Sequence, residues 1–195
     1  MSTADPRDPH DDIDAEFARL TEGLSLDDGD ALTVEDVLAE SDGGDDTPCI
    51  AVIATSVATA KALAGMIRLG VEARTDGLTI PEGTRTVETS TGAIAVGALQ
   101  EAAAHDLAAI TSTALQRNGL VLFWRRGDRM TATRYMTGER SEDISPVIVL
   151  GAVDDVVEEL LLGARSVEEL GEGLDPAALS RTEALTWIAT GRKRK

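Results

Sequence analysis

A β-hairpin predicted over residues 118–136 constrains the fold of this chain more than any other feature. Residues 120–124 read Leu-Val-Leu-Phe-Trp, and such a run of aliphatic, β-branched and aromatic residues is typical of a buried strand. Gly127 and Asp128 supply a two-residue turn, since glycine adopts positive φ without a steric cost. Residues 130–136 then alternate between apolar and polar side chains, which predicts the second strand.

Placing the turn at these two residues also predicts the register of the two strands. The first strand is apolar on both faces, which predicts a position inside a sheet with a layer on either side. The second strand is half polar and is therefore expected nearer to an edge. The predicted opposed pairs are Arg126 with Arg129, Trp124 with Thr131, Phe123 with Ala132, and Val121 with Arg134.

Three short apolar runs predict further buried strands, and each is followed by an amphipathic segment. Apolar positions spaced three and four apart indicate helices, whereas short apolar runs bounded by turn residues indicate strands. With the central hairpin, these strand–helix units predict an α/β fold with flanking helices and a mixed sheet of about five to seven strands. The predicted units are 50–54 with 57–69, 92–96 with 99–116, and 147–150 with 153–164.

Shorter elements are predicted between and after these units. Glycine often follows the last turn of a helix, acidic clusters closed by proline mark loops, and Asp-Pro is typical of a helix start. On these signals we predict a strand at 71–74 after Gly70, short strands at 78–80 and 84–88, a loop at 139–145, and a helix starting at Asp175 and Pro176.

The negative charge of the chain is concentrated near its N-terminus. Residues 1–47 hold 16 of the 35 acidic residues and 2 of the 18 basic ones, which leaves 19 acidic and 16 basic residues for the remainder. We therefore predict a largely disordered acidic arm over 1–47, an α/β domain over 48–172, and a C-terminal helix with a basic tail over 173–195.

One segment of the arm, residues 13–24, has the pattern of a short amphipathic helix. Asp12 is a suitable capping residue, and the apolar positions follow at spacings of four, three and four, which places them on one stripe. The stripe either folds back onto the domain or binds the groove of a protein partner. The candidate partner-binding residues are Ile13, Phe17, Leu20 and Leu24.

The residue types needed for common catalytic and metal sites are scarce. The single cysteine, Cys49, precedes a buried strand and is expected to pack as a small apolar residue. The two histidines are His10, in the arm, and His105, which we expect on an exposed helix surface. We therefore predict no catalytic residue, metal ligand or cofactor. Since no cationic stretch is followed by the apolar run typical of a secretory leader, and no apolar run approaches the roughly 20 residues of a membrane span, we expect a cytoplasmic protein without membrane contact.

Two groups of residues are candidates for anion binding. Ser56, Thr59 and Lys61 follow a buried strand at the start of a helix, where free N–H groups and the helix dipole favour negative charge, although Ser and Thr are also ordinary helix caps. The second group, at the hairpin tip, consists of Arg125, Arg126 and Arg129. With the basic tail, these arginines could contact phosphate or could attract the acidic arm, which would mask weak nucleic-acid binding.

These observations favour a noncatalytic cytoplasmic regulatory or scaffold protein that binds a protein partner or forms a homo-oligomer. One alternative is a small-ligand or nucleotide-binding domain that uses the turn at 55–61. Another is weak polyanion or nucleic-acid binding that the acidic arm masks. An enzyme acting through carboxylates also stays open, because spacing along the chain does not show which acids converge in a pocket.

Overall fold

The computed structural model describes residues 48–115 and 118–191, and in them six strands and five α-helices form. The strands are β1 (Cys49–Ala54), β2 (Arg85–Glu88), β3 (Ala93–Gly97), β4 (Leu120–Arg126), β5 (Arg129–Met136) and β6 (Glu139–Ile144). The helices are α1 (Ala60–Glu72), α2 (Glu101–Leu115), α3 (Pro146–Leu150), α4 (Asp155–Leu162) and α5 (Arg181–Gly191), with a short 3₁₀ turn at Glu168–Leu170.

The six strands form one sheet in the order β2-β3-β1-β4-β5-β6. The predicted α/β class, the strand number and the flanking helices are confirmed. Every neighbouring pair is antiparallel, where a mixed sheet was expected. The reason is that the chain leaves α1 for the edge strand β2, and the β2–β3 hairpin then brings β3 back antiparallel to β1.

The hairpin of β4 and β5 is confirmed together with its register. Trp124 lies opposite Thr131 and Phe123 opposite Ala132, and the other two predicted pairs also form. Gly127 has a φ of 56°, as the turn requires. The first strand of the hairpin, β4, is central and pairs with β1. The second strand, β5, lies next to the edge strand β6.

Two apolar cores lie on the two faces of the sheet. On one face, α1 and α2 cover the sheet with fully buried residues such as Leu63 and Leu107. On the other face, α4 contributes Val157, Leu160 and Leu161, which pack around Phe123. Alternate residues of each central strand therefore enter opposite cores, as a strand buried on both faces requires.

Helix α5 packs against the outer side of α1 through a close approach of their backbones. A Cβ at Gly65 would lie 2.7 Å from the carbonyl oxygen of Ala184, and Ala184 is fully buried. Arg68 of α1 also donates a hydrogen bond of 2.8 Å from Nε to the carbonyl oxygen of Leu179. Among the residues that the structure describes, no helix is long and apolar enough to cross a membrane.

The predicted strand at 71–74 is wrong, because α1 continues through Gly70 to Glu72. Gly70 lies where α1 meets α2, and a Cβ at this position would overlap the backbone carbonyl of Ile110. Arg68 forms an ion pair at 3.2 Å with Glu72, one turn later, and this pair stabilises the helix on both sides of the glycine. The glycine therefore serves close helix packing and does not end the helix.

The predicted loop at 139–145 is largely the edge strand β6. Its acidic side chains accept hydrogen bonds from β5: Glu142 from Arg134 at 2.7 Å, and Asp143 from Thr133 at 2.9 Å. Charged residues on an exposed edge strand discourage pairing with other chains. The acidic composition of this segment therefore suits an exposed edge strand and does not mark a loop here.

The predicted strand at 147–150 is also wrong, because these residues form the short helix α3. A run of four apolar residues cannot be assigned to a strand or a helix by periodicity alone. Here β6 already occupies the sheet edge, and Pro146 starts the helix with its fixed φ. The exposed fractions of Val147 and Ile148 are 84% and 77%, so these two side chains face away from the core.

The remaining short elements have mixed outcomes. The strand predicted at 84–88 is confirmed as β2, but residues 78–80 form no strand in the described part of the chain. Their apolar side chains, Leu78 and Ile80, instead pack partly buried against the core under α1 and α2.

The predicted helix start at Asp175 is wrong, because the carboxylate of Asp175 caps only a turn, accepting a 2.8 Å hydrogen bond from the N–H of Ala177. Helix α5 begins later, after a reciprocal capping pair. Ser180 donates its N–H to Glu183 at 3.0 Å, and Glu183 donates its N–H to the Ser180 hydroxyl at 3.3 Å. This capping box is the stronger local signal for a helix start.

Candidate functional site

A cleft of about 520 Å³ lies between the sheet and the segment that contains α3 and the start of α4. Its floor is a single row of directly opposed residues on four neighbouring strands: Ile94, Ala54, Val121 and Arg134. Opposed residues of an antiparallel sheet share a face, and the small side chain of Ala54 leaves space in the middle of the row. The floor is apolar over three strands and carries a cation on the fourth.

Aliphatic residues of the α3–α4 segment form the roof of the cleft. Val149 lies on α3, Ala152 and Val153 lie in the connection, and Val157 lies in the first turns of α4. Helix α3 has only five residues and α4 only eight. The two short helices leave part of this sheet face uncovered, and the resulting volume lies in the range of roughly 300–1,000 Å³ that is usual for small-ligand sites.

Hydroxyl groups line one end of the cleft, where β1 ends and the β2–β3 turn begins. Thr55 and Ser56 follow β1, and Thr89 and Thr91 lie in the turn. The Thr55 hydroxyl is held by donation to the carbonyl oxygen of Ala93 at 2.7 Å. An apolar body with a few polar groups at its boundary is the usual composition of a ligand pocket.

The carboxylate of Asp154 joins the β2–β3 turn to the first turn of α4. It accepts a hydrogen bond of 2.7 Å from the N–H of Ser90 and a second from the Ser90 hydroxyl, while its other oxygen caps α4 at the N–H of Val156 at 3.0 Å. The hydrogen bond from the Ser90 hydroxyl is the main cause that lowers the pKa of Asp154. This contact ties the roof of the cleft to its hydroxyl-lined end.

The residues predicted at the strand–helix turn are separated in space. Ser56 lines the cleft, whereas Thr59 caps α1, where its hydroxyl accepts a 3.2 Å hydrogen bond from the N–H of Ala62. Lys61 places its ammonium 5.8 Å from the ring centroid of Trp187, and with Thr59 it lines a second cavity of about 560 Å³. The structure therefore does not bring the three side chains together on one point. An anion site at this turn stays a prediction.

The three arginines of the hairpin tip lie on two faces of the sheet. Arg125 lies on the α4 side, and its guanidinium donates a hydrogen bond to the carbonyl oxygen of Leu161. Arg126 and Arg129 lie opposite each other on the α2 side, and Arg129 approaches the carboxylate of Glu101 to 3.9 Å. Phosphate binding by this group also stays a prediction.

A pair of titratable side chains that sequence reasoning did not connect joins α2 to β5. Nδ1 of His105 and the hydroxyl of Tyr135 lie 2.7 Å apart; Tyr135 is buried, and the side chain of His105 is 20% exposed. Burial lowers the pKa of His105 and raises the pKa of Tyr135. The expected exposed surface position of His105 is therefore wrong, because the packing of α2 over β5 brings the ring against the tyrosine.

The candidate partner-binding residues Ile13, Phe17, Leu20 and Leu24 lie outside the described residues, as do the arm that carries them and the basic tail at 192–195. Their roles stay predictions.

The cleft itself was not anticipated from the sequence. The predicted hairpin register already placed Arg134 opposite Val121, and this was the available signal for the floor. No sequence signal placed Ser90 against Asp154, because these residues are 64 positions apart.

Comparisons with known protein families, with curated proteins and with solved structures find no match to this chain.

Proposed function

We propose that this domain is a noncatalytic binding module that takes a small, mainly apolar ligand into the cleft between the sheet and the α3–α4 segment. The observation that carries the proposal is the cleft of about 520 Å³, with its row of aliphatic floor residues, its aliphatic roof and its hydroxyl-lined end. A cleft of this composition offers burial to an apolar molecule and a few polar groups that orient it. Such a module would serve the regulatory role that the sequence favoured.

The test is binding of the neutral fluorescent probe N-phenyl-1-naphthylamine to the full chain. We expect saturable binding by the native protein and a loss of at least tenfold in affinity when Ala54→Leu fills the middle of the floor. Ala152→Trp, which adds bulk from the exposed roof, provides a second variant in case Ala54→Leu disturbs the sheet. Ala164→Leu, on an exposed position outside the cleft, is the matched control and should bind as the native protein does.

The proposal fails if the native protein does not bind the probe. It also fails if both cleft variants retain full affinity while circular dichroism shows that they are folded, because the probe would then bind elsewhere.

A second candidate function is self-association through α3. The observation that favours it is the exposure of Val147 and Ile148, at 84% and 77%, in a segment, 146–152, that carries no charged residue. Two copies of such a patch can meet around a twofold axis without charge repulsion. Sedimentation analysis should then show a dimer that dissociates in the double variant Val147→Ser/Ile148→Ser but persists in Leu185→Ser, an exposed leucine of α5. A native protein that sediments as a monomer at high concentration excludes this candidate.

A further inference from the structure

The cleft floor changes from apolar to cationic in a single row across the sheet. Ile94, Ala54 and Val121 are aliphatic, and the next opposed residue is Arg134, whose own partner on the edge strand is Glu142. An extended apolar group lying along this row would therefore end beside a guanidinium. This order defines where the polar end of a ligand would lie.

Arg134 is the only charged residue among those described as lining the cleft. Glu142 lies one strand further out and does not line it. The carboxylate of Asp154, at the opposite end, is engaged by Ser90 and by the start of α4. The charged side chain in the described lining is therefore a cation, which favours an anion at the Arg134 end of the row.

The present partner of Arg134 can be displaced at small cost. Its guanidinium contacts Glu142 at 2.7 Å, but the two side chains are 46% and 53% exposed. An ion pair as exposed as this one contributes little to stability. A ligand carboxylate that arrives with its apolar body already buried would form a charge-assisted, two-point contact with the same guanidinium.

We propose that the ligand of this cleft is an amphipathic monocarboxylate whose chain or ring lies along the Ile94–Ala54–Val121 row and whose carboxylate binds Arg134 in place of Glu142. This inference rests on the proposed function, since it assigns the chemical class of the ligand to the same cleft. The apolar body provides most of the burial, and the arginine selects the anion over neutral and cationic molecules of equal length. Glu142 acts as an internal competitor for the site.

Titration calorimetry on the full chain with octanoate, 1-octanol and octylamine tests the inference, because these probes share one chain and differ in charge. We expect octanoate to bind at least tenfold more tightly than octanol, and octylamine to bind no more tightly than octanol. Arg134→Gln should remove the preference for octanoate, so that octanoate and octanol bind this variant with equal affinity. Glu142→Gln should strengthen octanoate binding several-fold, since it removes the competing carboxylate.

Arg140→Gln is the matched control, because Arg140 is an arginine of similar exposure that pairs with Asp143 at 2.7 Å on the edge strand and does not line the cleft. It should leave all three affinities unchanged. Equal binding of octanoate and octanol by the native protein, or an unchanged octanoate affinity in Arg134→Gln, overturns the monocarboxylate assignment and leaves an apolar ligand site. If none of the three probes binds while N-phenyl-1-naphthylamine does, the monocarboxylate assignment fails and the proposed function stands. If N-phenyl-1-naphthylamine does not bind either, both fail.

Discussion

The two faces of the sheet are covered in different ways. On one face, α1 and α2 have 13 and 15 residues and bury a continuous core. On the other face, α3 and α4 have five and eight residues. The cavity of about 560 Å³ on the first face lies at its margin, where the start of α1 meets the edge strand β2 and the end of α5. On the second face, about 520 Å³ stays open between the central strands and the α3–α4 segment.

Under the proposed function, one face of the sheet serves stability and the other serves ligand binding. An α-helix rises about 1.5 Å per residue, so α2 spans roughly 22 Å of the sheet and α3 only about 7 Å. A long helix can bury several strands at once, but a short one cannot. Glycines such as Gly70 bring the long helices close together on the first face, whereas the second face keeps the open space into which the proposed ligand would bind.

The largest expected difference between the faces comes from truncating their covering helices. Leu107→Ala removes a fully buried side chain of α2 and should lower the free energy of unfolding by about 2–5 kcal/mol. Val153→Ala, in the roof of the cleft, should lower it by about 1 kcal/mol or less, because part of this side chain already faces open space. Urea denaturation measures both losses, and equal losses would mean that the second face is as closely packed as the first.

Gly→Ala substitutions should change stability in opposite directions on the two faces of the sheet. Gly70→Ala forces a Cβ against the carbonyl of Ile110, and we expect a loss of about 1–3 kcal/mol despite the better helix propensity of alanine. Gly151, between α3 and α4, has a φ of −66° and open space around it, so Gly151→Ala should raise stability by about 0.4–1 kcal/mol. Thermal denaturation of the two variants would contradict this contrast if both moved the midpoint in the same direction.

The hydrogen bonds of Asp154, which link the roof of the cleft to the β2–β3 turn, should contribute about 1 kcal/mol to the free energy of unfolding. Asp154→Ala removes the cap of α4 and the contacts with Ser90, with an expected loss of about 0.5–2 kcal/mol and weaker binding of the fluorescent probe. Asp155→Ala, at the next residue, is the control.

The contribution of the Asp154 carboxylate to stability should depend on pH in the acidic range. Hydrogen bonding from Ser90 lowers the pKa of Asp154 below its ordinary 3.8. The stabilisation is therefore fully present above the ordinary pKa of 3.8. It is lost as the pH falls through the lowered pKa that Asp154 has in the folded protein. If native protein and Asp154→Ala lose stability in parallel over this range, the contact does not form in solution.

The smallest expected effect concerns His105, under the first face. Burial lowers its pKa from the ordinary 6.5, as does the charge of Arg140, while Glu101, Asp106 and Asp143 act in the opposite direction. The unfolded chain therefore binds more protons than the folded protein just below pH 6.5, so stability should fall as the pH drops from there towards the lowered value. His105→Gln should flatten this part of the profile of unfolding free energy against pH. An unchanged slope would mean that other titrating groups cause the pH dependence.

Much of the fold could be predicted because its signals are local. The hairpin of β4 and β5 depends on a glycine turn and on a period of two, and both can be read within twenty residues, so its register was correct to the residue. The other hairpin, between β5 and β6, was missed although it has a comparable turn. Its turn uses Thr137 and Gly138 with φ values of 51° and 90°, and a threonine rarely adopts positive φ.

What the sequence by itself determined is therefore the class of the fold, the central hairpin and, through Val121 and its opposed Arg134, one side of the cleft floor. The tertiary structure decided whether the apolar run 147–150 became a strand or a helix, because β6 had already occupied the sheet edge. It also decided that α3 and α4 would cover the second face incompletely. A cleft arises where elements distant in sequence fail to fill the space between them, and residue patterns within any one element do not record that space.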